Sequence, residues 1–139
     1  MDEIAVKLYQ LMDNVVSIHS KDKRLLGLDY VVHNLQLSMF WLKEAKLELN
    51  QLTQDALEST TGNSTNSELA IPSIIDIKDQ LIYTKETLTS LLKEIAILIQ
   101  QFESLPSVRF VLQQAFIKAT EANFNLQLTT NYYNELRKQ

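Results

Sequence analysis

Gly27, Gly62, Pro72 and Pro106 are the only glycines and prolines in 139 residues, and that scarcity limits the fold more than any other feature. Sheet proteins need frequent tight turns, and those turns draw on glycine and proline for backbone angles that other residues adopt poorly. A chain with four such positions has material for a few long helices and the short breaks between them. Apolar residues that recur at three- and four-residue steps between the breaks point the same way. We therefore expect an all-α fold, a four-helix bundle with one short and three long helices, in one domain covering 1–139.

The periodicity places the elements. Ile4, Leu8, Leu11, Met12, Val15, Val16 and His19 share one face of a helix ending near Ser20, with Asp2 and Glu3 at its positive end. Ser20-Lys21-Asp22-Lys23 predicts a tight reversal in which Ser20 or Asp22 caps the next helix. That second helix spans about Lys23 to Glu58 on a seam containing Leu28, Val32, Leu35, Met39, Leu42 and Leu49. Gly27 falls inside it, as a slightly weakened first turn or a close helix crossing. Ser59 to Glu68 contains no apolar residue and predicts a polar loop at about 59–69. Its Asn63-Ser64-Thr65 sequon reads as loop composition. The loop is long enough to bring the next helix beside its neighbour or across to another corner.

Pro72 and Ser73 open a third helix, with Ser73 to Asp76 resembling a capping box. Leu105-Pro106-Ser107 ends that helix and starts the fourth within a few residues, so the third and fourth helices form an antiparallel hairpin. The fourth presents Val108, Leu112, Ala115, Ala119, Ala122, Leu126, Thr129, Tyr133 and Leu136 in one stripe. Its run of alanines predicts close approach to larger neighbours such as Phe or Trp. At about 1.5 Å per residue the first helix is roughly 27 Å long against about 45 Å for the others, a mismatch that leaves one groove partly uncovered.

Tests for chemistry return little. The chain has no cysteine, which removes thiol nucleophiles and thiolate metal sites. His19 and His33 belong to no metal-binding motif, and Asp29 with His33 has no nucleophile placed beside it. Two glycines cannot form a glycine-rich phosphate cradle. We expect no catalytic residue, no metal and no cofactor, and hence no enzyme. The net charge of -4 offers no general attraction to nucleic acid. Lys23 and Arg24 near one helix start and Arg109 near another are the candidate phosphate-binding residues. Met1-Asp2-Glu3 lacks the basic start of a secretory signal and no stretch approaches about 20 apolar residues, which predicts a cytoplasmic protein without a membrane span.

Between Leu105 and Asn134 the only charged residues are Arg109, Lys118 and Glu121. A helix so weakly charged, flanked by Trp41, Phe124, Tyr132 and Tyr133, suits contact with another surface. The expected function is a non-enzymatic protein-interaction, adaptor or assembly module of regulatory type. Its partner is a second copy, making a homo-oligomer, or another helical protein.

Asp22-Lys23-Arg24 and Met39-Phe40-Trp41-Leu42-Lys43-Glu44-Ala45, with a weaker echo at Leu105 to Arg109, resemble the small helical phage sponge proteins that sequester cyclic oligonucleotide signals. The match covers under a fifth of the chain. The resemblance implies a phage-encoded, all-helical oligomer that holds a cyclic nucleotide between subunits, using Lys23, Arg24, Arg109 and Trp41. A cyclic-nucleotide-sequestering anti-defence protein, or a nucleic-acid-linked regulator, is thus the alternative function. This chain is longer than members of that family and has Phe124-Asn125-Leu126 where an aromatic-rich segment is expected.

Overall fold

Four helices account for nearly all of residues 1–52 and 76–138, the parts of the chain that a computed structural model describes. They are α1 (Asp2–Lys21), α2 (Leu28–Leu52), α3 (Ile77–Gln101) and α4 (Pro106–Lys138). No strand occurs among the described residues. The all-α four-helix bundle is as the periodicity predicts, with α1 the shortest helix and α4 the longest. The expected polar loop at 59–69 and the helix start at Pro72-Ser73 lie outside the described residues.

Local chemistry explains each described boundary. α1 ends where Asp22 turns to an extended conformation, φ -143° and ψ 99°. The Asp22 carboxylate then accepts from the Arg24 backbone N–H at 3.1 Å and from its guanidinium at 2.9 and 2.8 Å. Asp22 therefore fastens the reversal, whereas the expectation was that it would cap α2. Gly27 holds the cap position instead: its carbonyl accepts from the amides of Tyr30 and Val31. It precedes α2, contrary to its expected place inside the helix. At the start of α3, Asp76 accepts from the Lys78 amide at 3.0 Å and is itself the cap, whereas the capping-box reading made it the third helical residue. Pro106 opens α4, a position at which its missing N–H leaves no intrahelical bond unmade.

The helices form a closed square. α1 packs on α2 and α3, α4 packs on the same two, and α2 with α4 is the most extensive pair. Cross-helix bonds give the directions: Asn34 Nδ2 donates to Asn125 Oδ1 at 2.9 Å and Ser38 Oγ to the Ala115 carbonyl at 2.8 Å, so α2 and α4 are antiparallel. Lys7 lies by Glu94 and Asn14 by Thr84, so α1 and α3 are antiparallel as well. α3 and α4 form the expected hairpin. The order is up, down, down, up, and α2 and α3 run parallel on opposite corners. The middle connection thus joins diagonal corners, the crossing alternative of the two the loop length allowed.

The core is aliphatic, with Leu8, Leu11, Leu28, Leu35, Leu42, Leu88 and Leu112 among its fully enclosed members. Ala115, Ala119 and Ala122 are enclosed too, and Ser38 approaches closely enough to bond the Ala115 carbonyl. None of the one Trp, five Tyr and five Phe is fully buried.

Apolar periodicity also failed to mark a buried amide cluster between α1 and α3. Asn14 Nδ2 donates to Thr84 Oγ1, Gln80 Nε2 to Asn14 Oδ1 at 3.1 Å, Thr84 Oγ1 to the Gln80 carbonyl at 2.7 Å, and Lys21 Nζ to Gln80 Oε1 at 2.8 Å. Each member satisfies another, which is what makes burial of the polar side chains of Asn14, Gln80 and Thr84 tolerable. Asn14→Ala strands the Gln80 amide and should lower the unfolding free energy by about 1–3 kcal/mol, measured by urea denaturation.

Candidate functional site

α2 and α4 each carry two seven-residue series, one turned inward and one outward. The inward series supplies Leu28, Leu35 and Leu42 on α2 and Val108, Leu112, Ala115 and Ala119 on α4. The outward series of α2 places Phe40 and Leu47 seven residues apart with Tyr30 beside them, and Leu26, in the turn just before the helix, continues it; all are at least half exposed. On α4 the outward series is Phe110, Ile117 and Phe124, spaced by seven, extended by Leu128 and Tyr132. Phe124 is 63% exposed and Tyr30 65%. A surface helix with one apolar stripe is ordinary, but a second stripe facing water on each of two adjacent helices exceeds what a monomer needs.

Between the two outward series lies an open groove of about 510 Å³ lined by Tyr30, Asn34, Thr120, Glu121, Phe124 and Asn125. Tyr30 and Phe124 are its apolar walls. The Asn34–Asn125 amide bond lies across its floor. Glu121 at its edge is paired with Lys118 at 3.3 Å, so the groove carries little net charge. This groove sits between α2 and α4, the two best-packed helices, and owes nothing to the shortness of α1, which was the expected cause of an uncovered side.

The candidate interaction residues separate into two kinds. Phe124 and Tyr132 are exposed on the outward face. Trp41 is half-buried against the core and edge-on to Phe40, ring centres 5.2 Å apart at 76°. Tyr133 also packs on the core, with the Arg137 guanidinium 5.8 Å above its ring. Leu26, Tyr30, Phe40, Leu47, Phe110 and Ile117 were missed. Their signal was present: a second heptad offset from the first on the same helix.

The basic candidates do not converge within one copy of the chain. Gly27 abuts Thr129, so Lys23 and Arg24, four and three residues before it, lie towards the α4 C-terminal end. Arg109 lies on the first turn of α4, about 35 Å away at 1.5 Å per residue. Arg109 Nη1 makes a long 3.5 Å bond to the Glu103 carbonyl. Arg24 is held by Asp22, so a phosphate arriving there meets a carboxylate already in place. His19 is half-buried with Nε2 enclosed and without a hydrogen-bond partner, and His33 is exposed on the outward side of α2. Among the described residues no group of His, Asp or Glu is disposed to hold a metal ion, and no helix is long and apolar enough to cross a membrane.

The Asp22–Arg24 pair has a titration signature. The hydrogen bond from the Arg24 side chain, opposed by desolvation, holds the Asp22 carboxyl below its ordinary range. With the folded value the lower one, the pair's contribution is complete above the unfolded carboxylate value of about 3.9 and is lost as pH falls through the lowered value. A carboxyl-carbon NMR titration should show the low value for Asp22 and its return towards the ordinary range in Arg24→Ala. Comparison of the chain with protein-family models, with curated proteins and with solved structures returned no match.

Proposed function

We propose that the chain is a non-enzymatic interaction module whose working surface is the outward face of α2 and α4. The observation that carries this reading is the pair of outward apolar series, rich in Phe and Tyr, on two adjacent antiparallel helices that already have a complete aliphatic core between them. Aromatic side chains are the usual anchors of protein interfaces because each removes a large apolar area from water while losing few rotamers. Here five of them, Tyr30, Phe40, Phe110, Phe124 and Tyr132, stand about half or more exposed where a helical partner reaches them. The shallow groove between Tyr30 and Phe124 receives a protruding side chain, and the paired Lys118 and Glu121 leave the face nearly neutral, so little charge needs desolvation on contact.

A photoreactive benzophenone analogue placed at Phe124, and separately at Val16 on the outward side of α1, tests this in the cell that makes the chain. Irradiation should give a discrete protein adduct from position 124 and none from position 16. Absence of any intermolecular adduct from position 124 overturns the reading.

A further inference from the structure

We infer that the occupant of the outward α2–α4 face is a second copy of this chain, packed about a two-fold axis parallel to the helices. This rests on the interaction reading above and goes on to name the partner. Three observations on the face favour a second copy.

The first is area. Nine side chains about half exposed, with aromatic ones of roughly 150–250 Å² each, present on the order of 1,000 Å² of apolar surface. A standard interface takes about 800 Å² from each partner, and the largest patch on a typical monomer is about 300–600 Å². The face is thus large enough for a stable symmetric dimer.

The second is register. Within one copy, Gly27 is level with Thr129, Asn34 with Asn125 and Ser38 with the Ala115 turn. An axis parallel to the helices lays α2 of one copy against α4 of the other, again antiparallel and at the same heights. Tyr30 then meets the level of Phe124 and Leu128, Phe40 that of Ile117, and Leu47 that of Phe110. The apolar positions of one series coincide in height with those of the other along the whole face. An axis perpendicular to the helices sets each helix against its own copy, which pairs Phe110 with Phe124 but leaves Tyr30 opposite the polar Asn50 level.

The third is charge. An isologous contact brings a patch against itself, so a patch with net charge repels its copy. The outward arc contains Asp29, His33 and Glu44 on α2 and Glu121 on α4. Glu121 is neutralised by Lys118, and the parallel axis brings Glu44 within a turn of the height of Arg109, whose own bond to Glu103 is long. The arrangement therefore opposes Glu44 to Arg109, sets Asp29 at the uncharged Leu128 level, and builds a new four-helix layer from two α2–α4 pairs with every neighbour antiparallel.

The chain has no cysteine, so single substitutions report the geometry directly. A mixture of the Tyr30→Cys and Phe124→Cys full chains, oxidised gently, should give a disulfide-linked species of twice the chain mass joining one variant to the other. Tyr30→Cys mixed with Phe110→Cys should not, since those levels differ by about 24 Å and a disulfide needs Cα atoms within about 7 Å. Sedimentation equilibrium of the unmodified chain should show a dimer, and Phe124→Glu, with unchanged helical circular dichroism, should raise its dissociation constant tenfold or more. A chain monomeric at every concentration, or a Tyr30–Phe110 cross-link equal to the Tyr30–Phe124 one, overturns the inference. In the photo-crosslinking experiment, an adduct at twice the chain mass supports it. An adduct of another mass overturns it while leaving the interaction reading standing, and a product linked only to residues 53–75 of the same chain overturns both.

Discussion

Leu112→Ala should lower the unfolding free energy by about 2–5 kcal/mol, while Phe110→Ala, two residues earlier on the same helix and a larger truncation, should change it by no more than about 0.5 kcal/mol. The contrast follows from which way each residue points. Leu112 is fully enclosed, so truncation removes its transfer energy and also leaves a cavity that packed neighbours fill only in part. Phe110 is 59% exposed and loses mainly contact with water. Urea unfolding must be followed at a concentration low enough that association does not contribute, because a bound partner stabilises the folded state by mass action. Repeated at high concentration, the same Phe110 substitution should acquire a cost that the dilute experiment lacks. A large loss for Phe110→Ala in dilute solution would show that the outward series serves the monomer's own stability.

Gly27→Ala should be the second large effect, about 1–3 kcal/mol of overpacking. A Cβ at this position would collide with Thr129 Oγ1, which is held in place by its bond to the Asn125 carbonyl at 3.0 Å. Thr129 is β-branched and has few rotamers with which to give way. Thr129→Ala removes the obstructing oxygen, so the double variant should be more stable than Gly27→Ala alone by about 1 kcal/mol or more, a coupling read from a double-mutant cycle. If the two losses simply add, the glycine is present for some reason other than the crossing of the reversal over α4.

These two sites also show what could be read from residue order. The sparse glycine and proline and the inward stripes were enough for the helix count, the α3–α4 hairpin and the crossing at Gly27, because breaks and three-four spacing are local properties. Asn14, Gln80 and Thr84 escaped because their burial depends on one another across two helices, and a single polar residue in an apolar stripe carries no mark of its partner. The outward face was half legible. Phe124 and Tyr132 stood out in a weakly charged helix, but Tyr30 and Phe110 entered no stripe and Phe40 only the sponge-like motif, since spacing alone cannot say which of two offset heptads faces the core. Trp41 and Tyr133 were misgrouped with them for the same reason: an aromatic beside the core stripe is packed or free according to the neighbouring helix. The diagonal placement of α2 and α3 needed the contacts themselves.

That no aromatic ring is fully enclosed changes what optical measurements on this protein report. Near-ultraviolet circular dichroism and the emission of the single Trp41 arise from the rim and outward faces of the bundle, while the leucine interior is spectroscopically silent. The signals of the exposed rings are therefore gauges of surface contact, and cooperative loss of the fold is better followed through the helical backbone. A shift in Trp41 or tyrosine signal on dilution, with the far-ultraviolet spectrum unchanged, would register subunits separating while each helix bundle stayed intact.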